Sequence, residues 1–240
     1  MNGEKPDIGL GDYWEEIEES LRTLIECYEK VNKVISWGNI GRLRRKAIRI
    51  ADVSSKKVLD AGCGPGYMGA EALRQGANKV YFLDPLPEML AEIPKTLRGI
   101  RGEYERVMGI FEKLPFRNSS IERVVAGFSL RDAYDLEAAV KEISRILVPD
   151  GKVVILDFYR PDNRIHAALI EAYLRWGVPS LALLAGCRKA GLYVGLYKTY
   201  RRHLTGSQYK KLFERYFKNV KINVLMGSVM LLEASHPLVS

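Results

Sequence analysis

One decapeptide, Val58-Leu59-Asp60-Ala61-Gly62-Cys63-Gly64-Pro65-Gly66-Tyr67, constrains this chain more than any other stretch. An apolar pair follows Lys56-Lys57, three glycines alternate, and Met68 to Leu73 supplies helix formers, so the segment reads as strand, tight turn and helix. Glycines at those positions let the backbone bend sharply and let a ligand approach where a Cβ would stand. The amides that open the following helix, with its dipole, favour a negative ligand group. The spacing is G-x-G-x-G, not the G-x-G-x-x-G of a dinucleotide site, and Asp60 sits two places before the first glycine. A carboxylate there suits a ligand that carries an ammonium and suits a pyrophosphate poorly. Alone, the turn is also compatible with a purely structural strand–helix corner.

A second signal narrows the choice. Lys79-Val80-Tyr81-Phe82-Leu83-Asp84 reads as the next strand and ends in a carboxylate eighteen residues after Gly66. An acid at the tip of the second strand is where nucleotide folds hold a ribose diol, since a carboxylate accepts both hydroxyl protons. Together the two segments resemble motif I and the following acidic strand end of class I S-adenosylmethionine (SAM) methyltransferases. The resemblance implies a Rossmann-like α/β fold: a seven-stranded sheet, parallel with an antiparallel last strand. It also implies SAM as cofactor and S-adenosylhomocysteine as product.

Composition sets the remaining bounds. The 240 residues suffice for one sizeable core with a small cap. Cys27, Cys63 and Cys187 form no C-x-x-C pair, which predicts a reducing, cytoplasmic compartment without disulfides or zinc. His166, His203 and His236 are scattered, so no metal is expected. The start has no signal-peptide pattern, and the longest apolar stretch, near Gly177 to Gly186, is about half the ~20 residues a transmembrane helix needs. Few glutamines and many Lys, Arg and Glu suggest a thermophilic source. The net charge of +8 is uneven: Arg160 to Ser240 holds thirteen Lys/Arg against four Asp/Glu, a net of +9. Such asymmetry predicts a polyanion or an anionic surface as partner.

In chain order, Trp14, Ile17, Leu21, Leu24, Ile25, Tyr28, Val31 and Ile35 form the apolar stripe of a long helix. A second helix follows Gly38 and Gly41 and is basic on one side (Arg42, Arg44, Arg45, Lys46, Arg49). Residues 1–52 are thus expected to form a helical lid, and 53–240 the SAM-binding domain. Strands are predicted at 57–61, 79–83, 104–108, 123–128 and 152–158, with helices at 88–92 and 136–147. An amphipathic helix at 163–185 lies in an insertion of about 162–203 that would face the substrate. A helix within 201–217 and a hairpin of 219–224 with 229–233 close the chain.

Several segments are similar to the ubiquinone/menaquinone-biosynthesis C-methyltransferase family. Tyr28-Glu29-Lys30-Val31-Asn32-Lys33-Val34-Ile35-Ser36-Trp37-Gly38 resembles its N-terminal signature, and Glu112-Lys113-Leu114-Pro115-Phe116 its loop after strand three. Phe128-Ser129-Leu130-Arg131-Asp132 stands where that family has Phe-Gly-Leu-Arg-Asn, and Asp157-Phe158-Tyr159-Arg160-Pro161 where it has Glu-Phe-Ser-Arg-Pro. The likeness implies cofactor contacts from Asp60, Gly62, Cys63, Gly64, Gly66, Asp84, Pro85, Phe111, Glu112, Phe128, Ser129 and Tyr28. Ile110-Phe111 replaces a polar residue of the family, which leaves the adenine amino group to backbone or to Glu112. Ser129 and Asp132 also depart from the pattern, on the acceptor side.

Methyl transfer is an in-line displacement that needs alignment, water exclusion and, for poor nucleophiles, removal of a proton. Asp132, Arg131, Tyr134, Asp157 and Tyr159 at the ends of strands four and five are the candidate catalytic residues. Asp132 leads as acid or hydrogen-bond acceptor, although an Arg131–Asp132 ion pair in the loop would explain both residues equally well. Two acceptors fit. The basic last third, with Tyr193, Tyr197, Tyr200 and Tyr209 between its cations, could grip RNA and stack a base, as in an rRNA or tRNA methylase. Alternatively, Trp176, Leu181, Leu183 and Leu184 could receive a prenylated quinone at a membrane surface. The charge asymmetry favours RNA. A SAM-binding protein without turnover is a third reading, which the polar acceptor-side residues disfavour.

Overall fold

The computed structural model describes residues 38–184 and 202–238 together with Gly9, Ser36 and Tyr200. Tyr28 and the long N-terminal helix expected at 12–36 lie outside the described residues, except for Ser36. Within them the chain runs α1 (Ile40–Ala51), β1 (Lys57–Ala61), α2 (Tyr67–Arg74), β2 (Lys79–Asp84), α3 (Pro87–Thr96), β3 (Glu103–Met108) and β4 (Ile121–Gly127). A 3₁₀ turn (Leu130–Asp132), α4 (Leu136–Ile146), β5 (Leu147–Phe158), α5 (Arg164–Ala172), a π turn (Tyr173–Gly177) and α6 (Val178–Leu184) follow. The described chain ends with α7 (Gly206–Glu214), β6 (Phe217–Met226) and β7 (Val229–Pro237).

The seven strands form one sheet in the order β3-β2-β1-β4-β5-β7-β6. The first five pair in parallel, and β7 runs antiparallel between β5 and β6. This is the seven-stranded class I methyltransferase sheet that the sequence implies. Strand order reverses between β1 and β4, the topological switch point where open α/β sheets bind their ligands.

Strand alternation fills two cores. Leu59, Val124, Val153, Ile155 and Leu232 face one side, where α4 and α7 cover them. Val58, Val125, Val154, Leu156 and Leu231 face the other, under α1, α2 and α3. Inner strands buried on both faces read as continuous apolar runs, which is why their positions were legible. Two cover helices have side-chain caps: Asp135 accepts the Glu137 and Ala138 amides at α4, and Thr205 with Gln208 forms a capping box on α7.

Helix α1, expected as part of a lid, lies in the second core, with Ala47, Ile48 and Ala51 fully buried. The strand that ends at Phe158 begins earlier than expected, at Leu147, and so includes Pro149-Asp150-Gly151.

Candidate functional site

A cleft of about 220 Å³ opens above the carboxyl ends of β1, β2 and β4. Its floor is the glycine turn. Gly62 adopts φ +62°, and a Cβ there would come within 2.6 Å of the Ser129 Cβ and 3.0 Å of the Phe111 ring, so no larger residue fits. Gly64, at φ +52°, meets nothing within 4 Å of an added Cβ and presents bare backbone to the cleft.

Asp60 is fully buried beneath this turn. Its Oδ2 accepts the Gly69 amide at 2.7 Å, which ties β1 to α2, while Oδ1 has no hydrogen-bond partner among the described residues. Burial pushes its carboxyl up to about 7; the Gly69 amide opposes this, Asp84 adds to it, and Arg44 opposes it. A buried carboxylate oxygen left without a donor, lining a cleft, fits the ammonium of an amino-acid ligand.

Asp84 plays a second part that the sequence did not disclose. Its Oδ2 accepts the Gly64 amide at 2.8 Å and its Oδ1 the Leu86 amide at 3.0 Å, so it braces the glycine turn. Each oxygen keeps a further lone pair for a hydroxyl, and burial raises its pKa. Cys63 is also buried and its thiol is held well above the ordinary range by desolvation, which leaves it neutral. Phe111 forms an apolar wall. Glu112 reaches the cleft, yet its Oε1 accepts the Asp135 amide at 3.0 Å.

Arg44 lines the cleft and was not singled out as a site residue. It is 8% exposed, and its guanidinium stands 4.6 Å over the Tyr67 ring. The signal was present: Ile40, Leu43, Ala47, Ile48 and Ala51 trace the inner stripe of α1, and position 44 falls on it.

The acceptor end is built around Asp157, fully buried at the end of β5. Arg131 Nη1 lies 2.5 Å from its Oδ1; the Arg131 amide donates to Oδ2 at 3.1 Å and the Phe158 amide to Oδ1 at 2.8 Å. Arg131 also pairs with Asp132, Nε to Oδ1 at 3.4 Å. Burial raises the Asp132 carboxyl to about 6; Arg131 opposes this and Asp157 reinforces it. Phe128, at φ +61°, is a bulky residue in the left-handed region, and this strained backbone sits at the cleft edge. Ser129 Oγ donates to the Ala61 carbonyl at 3.0 Å and so joins β4 to β1.

Of the expected residues, the cleft brings together Asp60, Gly62, Cys63, Gly64, Asp84, Pro85, Phe111, Glu112, Phe128, Ser129, Asp132 and Tyr134. Gly66 caps α2 beside it, at φ +87°. Arg131, Asp157 and Tyr159 do not line it: the first two form the buried pair beneath, and Tyr159 packs in the core, with its backbone amide bonded to Ser228. Next to them His203 is buried with neither ring nitrogen partnered among the described residues, and desolvation keeps it neutral. No cluster of three metal-ligating side chains occurs among the described residues.

Known proteins similar to this chain sharpen the picture. The profile of the ubiE/COQ5 methyltransferase family matches residues 13–236. A demethylmenaquinone methyltransferase of Lactobacillus johnsonii is 31% identical over 211 residues, 84% of this chain and 86% of that one. A ubiquinone/menaquinone biosynthesis C-methyltransferase UbiE of Pseudomonas putida is 28% identical over 172 residues, covering 70% and 67%. Among solved structures, one of a complex between the Haloferax volcanii Trm112 methyltransferase activator and a methyltransferase aligns with TM-score 0.61 at 15% identity, over 95% of this chain and 99% of that one. A SAM-dependent methyltransferase of Thermotoga maritima aligns with TM-score 0.60 at 15% identity, over 90% and 99%. At that identity the structures speak to the fold alone.

These findings overturn the expected RNA or ribosomal acceptor and, with it, RNA and rRNA modification. The relatives are named for quinone biosynthesis, which was the alternative. The structure supplies a physical reason why the charge misled. Tyr200 and Tyr209 are each 1% exposed and so cannot stack on a base. Lys210, Lys211 and Arg215 belong to α7 and its end, and Lys218 and Lys221 to β6, the sheet edge farthest from β3 and on the other side of β5 from the cleft strands. Lys210 and Arg215 there pair with Glu214 and Glu137. Arg188, Lys189, Tyr193, Tyr197, Lys198 and Arg201 lie outside the described residues.

Proposed function

The chain belongs to the ubiE/COQ5 methyltransferase family and is a SAM-dependent methyltransferase, and from that premise we propose that it methylates a ring carbon of a prenylated quinone precursor in its reduced, phenolic form. The observation that carries this reading is the likeness, over most of the chain, to a demethylmenaquinone methyltransferase. The acceptor-side cleft, with one partly buried acid of raised pKa among apolar walls, supports it.

SAM, when bound, supplies an electrophilic methyl carbon on a sulfonium. The residues present fit it. The orphaned Asp60 Oδ1 would hold the ammonium, Arg44 would hold the carboxylate, and the remaining lone pairs of Asp84 would take the ribose hydroxyls. Phe111 and Met89 offer apolar contact to the adenine. On the acceptor side, Asp132 takes the proton of a ring hydroxyl, which pushes electron density onto the neighbouring ring carbon. Bound SAM would supply the methyl to that carbon and would leave as S-adenosylhomocysteine; Asp132 then returns its proton to the ring oxygen and the ring proton passes to water, which restores the phenol. Arg131, fixed by Asp157, holds the Asp132 carboxylate in place and favours its charged form. Phe128 and Tyr134 help to keep water out, and the helical run Arg164–Leu184 would cover the acceptor; the rest of the expected insertion, 185–199 and Arg201, lies outside the described residues.

The test is direct. With methyl-labelled SAM and a chemically reduced, short-chain demethylmenaquinone, label enters an organic-extractable product one methyl heavier than the substrate. A product absent at every acceptor concentration, while SAM still binds, would overturn the reading.

A further inference from the structure

Arg164 to Leu184 forms one continuous 21-residue helical run through α5, the π turn and α6, and it is apolar on two faces. The inner face is Leu174, Val178 and Ala182, each at most 4% exposed. The outer face is Ile165, Leu169, Tyr173, Trp176 and Leu183, at spacings of four, four, three and seven residues. Such spacing places them along one side of a helix. Ile165 is 72% exposed, Leu169 64%, Trp176 62% and Leu183 65%, and the adjoining Leu184 is 82% exposed. Soluble chains scatter exposed apolar side chains singly; a contiguous row marks a surface that meets something. The sequence suggested a stretch too short to matter, but the helix is apolar enough by length and composition to cross a membrane, with only 17% of its most apolar window buried.

We propose that this helix lies flat on an anionic lipid bilayer, with its outer row in the acyl region. Two features favour lipid over a second copy of the chain. The helix carries Arg164 and Arg175 against one acid, Glu171, and belongs to the third of the chain with a net charge of +9. Two such faces would oppose like charges, whereas anionic headgroups complement them. The row also has the chemistry of a water–lipid boundary. Tyr173 and Trp176 join an apolar ring to a polar handle, and the Arg175 guanidinium stands 5.2 Å over the Trp176 ring, in reach of headgroups while its stem covers apolar surface. A span would have to withdraw Leu174, Val178 and Ala182 from the protein; a helix on the surface keeps them buried. The inference rests on exposure and charge and goes beyond the assignment of the acceptor.

Cosedimentation of the full chain with extruded vesicles tests it. Vesicles of phosphatidylcholine with roughly a third phosphatidylglycerol should pellet the protein, pure phosphatidylcholine should pellet much less, and added salt should weaken the binding. Leu169→Glu and Leu183→Glu, made singly and together, should lower partitioning by about tenfold or more in the pair while thermal midpoint and SAM affinity stay at the parent values. Protein that stays in the supernatant with anionic vesicles, variants that bind like the parent, or protein that resists alkaline carbonate extraction (the behaviour of a span) would each overturn the proposal. Vesicle binding without methylation of any prenylated phenol would leave it standing and remove the proposed acceptor instead.

Discussion

Two aspartates, Asp60 at β1 and Asp157 at β5, are both fully buried and sit on either side of β4, yet they are opposites. Asp157 is saturated: a guanidinium and two amides engage its two oxygens. Asp60 has one amide and one bare oxygen, and its carboxyl is pushed up to about 7. A buried charge with every partner supplied by its own chain is scaffold. One left short of a donor at the edge of a cleft is a socket. The donor half of the cleft is therefore built to be completed by a ligand, whereas the acceptor half is completed internally and presents Asp132 as its acid above the pair.

The largest effect should come from breaking the saturated member. Asp157→Ala removes the acceptor of the Arg131 Nη1 and of two amides, and a buried pair broken on one side costs about 3–5 kcal/mol. Urea unfolding measures it. A loss under about 1 kcal/mol would mean that water reaches Arg131 easily, and the contrast between the two aspartates would dissolve.

Asp132→Asn comes next and acts on rate. It keeps size and hydrogen bonding but cannot take a proton, so kcat should fall by about 10²–10⁴ while SAM affinity stays within about twofold. At saturating SAM the parent's kcat/KM for the acceptor should rise with pH through about 6, as the Asp132 carboxyl ionises, and the variant should lose that limb. A variant that retains the limb would place the base elsewhere, with the buried, neutral His203 the next group to examine.

The same contrast explains what the sequence could disclose. Donor-half residues lie within one strand–turn–helix unit and the tip of its neighbour, so glycine spacing and strand-end acids mark them locally. The Arg131–Asp157 pair spans twenty-six residues and exists because β4 and β5 pair in parallel, which is a product of topology. Their place at the ends of strands four and five and the resemblance to a family pointed to both residues, but not to their pairing. Arg44 was hidden by its neighbours: Arg42, Arg45, Lys46 and Arg49 made α1 look like a solvated basic face, although position 44 belongs to its inner stripe. Net charge failed for a related reason. Counting cations gives a sign but no place, and Lys210, Lys211, Arg215, Lys218 and Lys221 turned out to lie on the far side of the sheet, with Arg164 and Arg175 along the Arg164–Leu184 helix.

Asp60→Asn should have a smaller effect than either substitution above. The amide still accepts from Gly69 but meets an ammonium with a dipole in place of a charge, so SAM affinity should drop by about 1–3 kcal/mol. Calorimetric titration reads this, and an unchanged affinity would remove Asp60 from the ammonium site. Stability should not suffer, because a neutral amide in that burial escapes the desolvation that raises the carboxyl's pKa.

The smallest effect is a proton count, and it separates socket from scaffold most sharply. In the free protein Asp60 titrates near 7, so at pH 6 it is mostly protonated. An ammonium against its Oδ1 favours the charged form and lowers that pKa, so SAM binding at pH 6 should release up to about one proton. Affinity should then climb with pH by at most about tenfold per unit up to roughly 7 and level off above. The sign for stability runs the other way. A carboxyl whose folded pKa lies above its unfolded value of 3.8 stabilises the free fold fully below about 4, and that contribution is lost as pH rises through about 7. Titration in two buffers of different ionisation enthalpy measures the proton, and Asp60→Asn should abolish its release. If proton release persists in the variant, Asp84, whose pKa burial also raises, is the group that titrates, and the ammonium lies nearer β2 than β1.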